Sequence, residues 1–116
     1  MRNFKELKIW QKGIEIALDT YKLIDTFPKS EKYSLAQQAS KSAVSIPSNI
    51  AEGSSRSSSK DYRFLEISLG SSFELETQLL IAKTMNFGDL ALLLSTLSKI
   101  DEEQKMIVAF IKKLNN

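Results

Sequence analysis

At 116 residues, with 42 % hydrophobic and 26 % charged, the chain has the size and balance of one globular domain. Such a domain buries roughly 60 to 70 % of its unfolded surface in a single core. It contains neither cysteine nor histidine, which removes disulfides, thiol nucleophiles, Ser-His systems, the usual zinc sites and the Glu-x-x-His ligands of di-iron bundles.

The longest apolar run, Met106 to Ile111, falls far short of the roughly 20 residues of a membrane span. The opening MRNFKELKIW lacks a signal-peptide core. The expectation is a cytoplasmic protein with no membrane partner, no metal and no cofactor. A carboxylate-held magnesium or a Ser/Lys pair is the chemistry left. Neither has a recognisable spacing, and Glu66, Glu74 and Glu76 read as a solvated or interhelical face, so no enzymatic activity is expected.

Between Glu6 and Phe27 the residues Leu7, Trp10, Ile14, Ala17, Tyr21 and Ile24 recur at spacings of 3, 4, 3, 4, 3, one stripe of a helix, with Ile9, Ile16 and Leu18 widening it. Pro28 ends that helix, since it lacks an N–H and restricts the residue before it, and Ser30 is placed to cap the next. The second segment carries Leu35, Ala39, Ser42, Ile46 and Asn49, flanked by Ala36, Ala43 and Ile50. A third, from about Lys60 to Asn86, carries Leu65, Ser68, Ser72, Leu75, Leu79 and Ala82. Its Gly70-Ser71-Ser72 patch invites close approach, so the small faces of helices two and three should meet. After Phe87-Gly88, Asp89 is placed to cap a fourth helix carrying Leu90, Leu93, Leu97, Ile100, Gln104, Ile107, Ile111 and Leu114.

Four helices joined by short loops imply an all-α, antiparallel up-down-up-down four-helix bundle filling residues 1–116 as one domain. Ile9, Ile16, Phe73, Leu80, Leu94 and Phe110 lie outside the main seams. They either broaden the core or form a second apolar face for self-association.

The stretch SIPSNIAEGSSRSSSKD, residues 45 to 61, interrupts this regularity. Pro47 removes a backbone hydrogen bond and presses on the Ala43 carbonyl, so helix two should bend or break there, with a bend preferred. Asn49 supplies an amide for backbone groups that the bend frees. Gly53 reads as a left-handed terminator, and Ser58 with Asp61 as a capping box for helix three. Glu52 opposes the dipole of its own helix end. It either pairs locally with Arg56 or joins Arg56 and Asn49 in a site. The start of helix three, with Arg56, Lys60 and Arg63 around free N–H groups, suits phosphate oxygens.

Charge is polarised along the chain. Residues 1 to 63 hold 11 Lys+Arg against 7 Asp+Glu, net +4, and residues 64 to 116 hold 5 against 7, net −2. Lys5, Lys8 and Lys12 share a face of the opening helix, where basic residues work against the dipole. They mark either an anionic partner or a solvated face.

SIPSNIAEG, together with FKELKIWQKG, FPKSEKYSLAQQ and ISLGSSFELETQLLIA, resembles the four-helix bundle family encoded in the intervening sequences of bacterial 23S rRNA genes, over Phe4 to about Phe87. The family signature falls on Ser45, Ile46, Pro47, Asn49, Ile50, Ala51, Glu52 and Gly53, with a following arginine at Arg56. The resemblance implies an up-down bundle, often a ring-shaped homopentamer, without enzymatic activity. It also implies kinship with the accessory protein of diversity-generating retroelements, a basic pentamer that binds nucleic acid and its reverse transcriptase. Where relatives carry consecutive arginines before the signature, this chain has Ser40-Lys41-Ser42.

The reading that joins these features is a homo-oligomer, pentameric by resemblance, that offers Lys5, Lys8, Lys12, Lys41, Arg56, Lys60 and Arg63 to the RNA or DNA backbone. The alternative is an oligomeric scaffold for a protein partner.

Overall fold

The structure is a computed structural model that describes residues 3–54 and 63–115. A 3-10 turn, Phe4–Glu6, precedes α1 (Lys8–Ile24), α2 (Leu35–Ser54), α3 (Arg63–Thr84) and α4 (Leu90–Asn115), and a second 3-10 turn, Lys29–Glu31, lies between α1 and α2. Among the described residues there is no strand. Each helix packs on two others in a closed square, with α1 and α3 both beside α2 and α4 and, among the described residues, no diagonal pair in contact. Lys12 reaches Glu102 while Asp19 reaches Lys99, and Ser45 meets Ser71 while Ile46 meets Ser68. Both pairings run in opposite directions, as the up-down-up-down bundle requires. The 44 Å long axis is set by α4, whose 26 residues span about 39 Å at a rise of about 1.5 Å each.

Local chemistry explains most boundaries. Asp89 caps α4 as expected, its carboxylate accepting from the Leu92 N–H at 2.9 Å. Between α3 and α4, Asn86 takes φ 59°. Phe87 N–H donates to Ala82 O at 2.8 Å and Asn86 N–H to Lys83 O at 3.1 Å, the paired bonds of a Schellman motif. Gly88 follows at φ 81°, where a Cβ would lie 2.8 Å from the Phe27 ring. At the start of α2 the expected Ser30 cap is replaced. Ser30 sits inside the 3-10 turn, and the Leu35 N–H donates instead to Glu31 Oε1 at 3.4 Å.

The seams of α2 and α3 are those expected. Leu35, Ala39, Ser42 and Ile46 are buried on α2, as are Leu65, Ser68, Ser72, Leu75, Leu79 and Ala82 on α3, and their small faces meet. Gly70, however, faces open space, since a Cβ there would meet nothing within 4 Å, so Ser68, Ser71 and Ser72 make the close approach without it.

The seams of α1 and α4 match expectation only in part: Ala17, Leu93, Ile100 and Ile107 are buried as expected, and Leu7, Trp10, Ile24, Leu97, Ile111 and Leu114 pack partly buried against the core. On α1 the buried residues are Ile9, Gly13, Ile16, Ala17, Thr20 and Leu23, whereas Tyr21 is 51 % and Leu18 58 % exposed. Ile9 and Ile16, expected outside the seam, are therefore core. The set was partly hidden because two of its members are not apolar. Gly13 makes room for its neighbours, and Thr20 buries its hydroxyl by donating to Ile16 O at 2.7 Å. On α4 the buried line is Leu93, Thr96, Ile100, Glu103 and Ile107. Leu90 is 57 % exposed, and Gln104 sits at the α3 border, donating to Glu76 at 2.9 Å.

Glu103 is the exceptional core residue. It is fully buried, and neither carboxyl oxygen has a hydrogen-bond partner. Its Oε2 occupies the space that Gly13 leaves. A Cβ on Gly13 would stand 3.2 Å from Oε2, 3.3 Å from the Pro47 Cβ and 3.4 Å from Ile46 Cγ2. Burial pushes this carboxyl from 4.5 up to about 8, against the opposing pull of Lys12 and with Glu15 adding to the rise. The same α1–α4 border carries Lys99, 2.6 Å from Asp19 and 3.5 Å from Glu15. The hydrogen bond to Asp19 raises its pKa above the ordinary lysine value in spite of desolvation.

This core can be tested at two positions. Ile16→Ala should destabilise the bundle by about 2 to 5 kcal/mol, the range for truncating a packed aliphatic residue, while Leu18→Ala should stay within about 0.5 kcal/mol. Urea unfolding of both variants measures the contrast, and equal losses would reinstate the other stripe. The second position is Glu103. Below pH 4.5 folded and unfolded chains alike carry its proton, and between 4.5 and about 8 the folded chain alone keeps it. Folding then takes up a proton, so stability falls as pH rises through that window, by about 1.4 kcal/mol per pH unit from this group, and levels off above it. Glu103→Gln should flatten the profile of unfolding free energy between about pH 5 and 8. An unchanged slope in that variant would assign the pH dependence elsewhere.

Candidate nucleic-acid interface

The signature stretch lies in the last half of α2, which runs unbroken through Pro47. Proline brings no N–H to the Ala43 carbonyl, and the three carbonyls that follow are each met by a side chain. Ser48 Oγ donates to Val44 O at 2.7 Å, Asn49 Nδ2 to Ser45 O at 2.9 Å, and Ser68 Oγ of α3 to Ile46 O at 2.8 Å. Asn49 also donates to Ser45 Oγ at 2.9 Å, and that hydroxyl lies 2.8 Å from Ser71 Oγ. Ser45, Pro47 and Asn49 thus tie α2 to α1 and α3, with Pro47 buried against Gly13.

Gly53 is not a left-handed terminator. It is helical, and Gly88 is the glycine with positive φ among the described residues. Its lack of a side chain instead lets the start of α3 come close, since a Cβ there would stand 3.1 Å from the Phe64 Cβ. Glu52 is exposed at the same end. Arg56, Lys60 and the Ser58–Asp61 capping box lie outside the described residues, so both readings of Glu52 with Arg56 fall there too.

The remaining basic residues separate into groups. Lys5 and Lys8 are exposed, and Lys8 shares a face of α1 with Lys12 four residues on, but Lys5 does not lie on that helix. Lys5 belongs to the 3-10 turn that Asn3 caps, and Leu7, extended at φ −73° and ψ 129°, divides that turn from α1. Lys12 is half-buried and pairs with Glu102 at 3.3 Å, so its charge is compensated within the bundle. Lys41 is exposed in the first half of α2, toward the opposite end. Arg63 opens α3, exposed, at the end where α1 begins.

One cation that periodicity did not single out joins this end. Lys113, in the last turn of α4, lines a groove of about 410 Å³ together with Lys8, Glu6, Leu7, Met106 and Phe110. Its signal in the sequence was the pair Lys112-Lys113 in a final helical turn, which the helix dipole already accounts for. Antiparallel closure brings the end of α4 beside the start of α1 and converts that local preference into a shared patch. Two lysines across an apolar groove can hold phosphate oxygens without reading bases. Among the described residues no three Asp or Glu side chains converge as a metal ligand set, and no helix is long and apolar enough to cross a membrane.

No curated protein matches the chain. The sequence does match the 23S rRNA-intervening sequence protein family over residues 5–109, a span that takes in α1, the α2 signature and most of α4. A four-helix bundle whose second helix carries the SIPSNIAEG signature, matched over that length, belongs to the 23S rRNA-intervening sequence protein family.

Proposed function

We propose that this chain is a non-enzymatic, cytoplasmic bundle that self-associates and binds the RNA or DNA backbone through the basic end of the molecule. The observation that supports this best is the groove that Lys8 and Lys113 share, at the end where Lys5 and Arg63 also lie. In sequence, Arg56 and Lys60 fall between α2 and α3. With a formal net charge of only +2, one copy attracts a polyanion weakly, and a ring of copies would multiply the patch into a continuous surface. Lys12 is not one of the phosphate contacts, because Glu102 holds it.

Self-association is supported by the outer side of the bundle. α3 is apolar on two faces, with Phe73 50 %, Leu80 44 % and Ile81 48 % exposed opposite its buried seam, and Leu94 of α4 is 45 % exposed. A second copy is the occupant that the proposal assigns to this stripe, since a homomeric contact repeats one apolar patch at low cost. A scaffold that binds another protein through the same stripe is the rival. The two separate on salt, because phosphate contacts weaken as salt rises and apolar contacts do not.

In fluorescence anisotropy with labelled duplex DNA, the log-log salt slope should shrink by about 0.9 for each phosphate contact removed. Lys8→Ala and Lys113→Ala should each reduce it, and Lys12→Ala should not. Absence of binding at low salt would leave the scaffold reading. In light scattering, Phe73→Asp with Leu80→Asp should lower the mass to that of one chain while circular dichroism stays helical. An unchanged mass would move the contact off α3.

A further inference from the structure

The connection from α1 to α2 forms a cleft of about 720 Å³ at the end of the bundle opposite the basic groove. Its position is well determined by local chemistry. Pro28, at φ −56° and ψ 142°, ends α1, and Lys29–Glu31 close a 3-10 turn in which Glu31 N–H donates to Pro28 O at 2.9 Å.

Two aromatic rings face the cleft, Tyr21 from α1 and Tyr33 from the connection. They are 51 % and 78 % exposed, and neither hydroxyl is hydrogen-bonded among the described residues. Neither ring packs on another ring there, although Phe4 with Trp10 and Phe27 with Phe87 do. The bundle therefore gains little from these two side chains. The Lys32 ammonium stands 5.3 Å from the centre of the Tyr33 ring, and Lys29 lines the same cleft. Ile24 and Ala36 supply apolar walls, and Asp25 and Gln37 supply an acceptor and an amide. Flat aromatic faces beside cations, with hydrogen-bonding groups at the edge, suit a planar base that carries a phosphate.

We propose that this cleft holds a nucleotide of a single strand, its base stacked on Tyr33 or Tyr21 and its phosphate against Lys29 and Lys32. The assignment rests on the nucleic-acid reading above and adds to it a preference for unpaired strands. A duplex keeps its bases stacked within itself, so it reaches the lysines but leaves the rings unused. Tyr33 is the principal platform, being the more exposed ring and the one with a cation already beside it.

The test uses the full chain with three probes, namely a labelled adenine oligonucleotide of about 15 residues, a duplex of the same length, and free AMP. Tyr33→Ala should weaken binding of the single strand by about 5- to 100-fold, the range for loss of one stacked base, with duplex binding unchanged. Tyr33→Phe should restore wild-type affinity, because the ring does the stacking. AMP should bind the wild type weakly and Tyr33→Ala not at all. Binding of AMP without any binding of either oligonucleotide would overturn both the strand assignment and the backbone reading, and would leave the cleft a site for a free nucleotide. Equal single-strand affinity in wild type, Tyr33→Ala and Tyr21→Ala would overturn the cleft, and if Lys8→Ala still weakened binding, the backbone reading would stand alone. A fall in assembly mass on Tyr33→Ala with unaltered strand binding would also overturn it, by showing that the rings serve a contact between copies.

Discussion

The bundle depends on how closely α2 lies against its two neighbours. Small residues make that approach possible: Gly13 on α1, Ala39, Ser42 and Ala43 on α2, and Ser68, Ser71 and Ser72 on α3. Hydroxyls placed in such a seam must find partners within it. Ser71 finds one in Ser45, Ser68 in the Ile46 carbonyl of α2, near the carbonyl that Pro47 leaves without its helical N–H, and Ser72 in the Leu69 carbonyl of its own helix. The signature is in this sense a packing device: its serine, proline and asparagine turn one helix into the element on which two others rest.

The same closeness has an electrostatic consequence on the far side of Gly13. The absent side chain leaves space that the Glu103 carboxyl fills, with no partner for either oxygen. An ionised carboxylate in that position would carry a desolvation cost of several kcal/mol, so the group holds its proton to about pH 8. Lys12, the lysine whose charge acts on it, is held 3.3 Å from the exposed Glu102 instead. One residue of α4 thus takes a cation that its buried neighbour lacks, and the basic stripe of the opening helix loses a member.

What remains exposed and basic is divided between the two ends of an elongated molecule. The start of α1, the start of α3 and the end of α4 share one end, while Lys29 and Lys32 flank the tyrosines at the other. A bundle has few concave surfaces of its own, and the two described above fall where helices end and connections begin. In a member of the 23S rRNA-intervening sequence protein family, these ends and the outer apolar stripe of α3 are the surfaces on which the proposed assembly and strand binding draw.

The number of helices, their approximate limits, the small faces of α2 and α3, the Asp89 cap and the family signature were all legible in the residues, because each is encoded by neighbours three or four positions apart. The seams of α1 and α4 were legible only in part, through Ala17, Leu93, Ile100 and Ile107. Spacing alone favoured lines of large apolar residues, whereas the folded chain buries Gly13, Thr20, Thr96 and Glu103. Each of these looks polar or empty in sequence and becomes acceptable only through a carbonyl, a gap or a proton supplied by the fold. The candidate site shows the same division. Lys5, Lys8 and Arg63 were legible as exposed cations, but the compensation of Lys12 by Glu102 and the meeting of Lys8 with Lys113 join residues about 90 or more positions apart. Local periodicity determined which segments are helices. Which way each helix faces, and which charges remain for a partner, was decided by antiparallel closure, since only packing sets the distances at which a side chain is desolvated or paired.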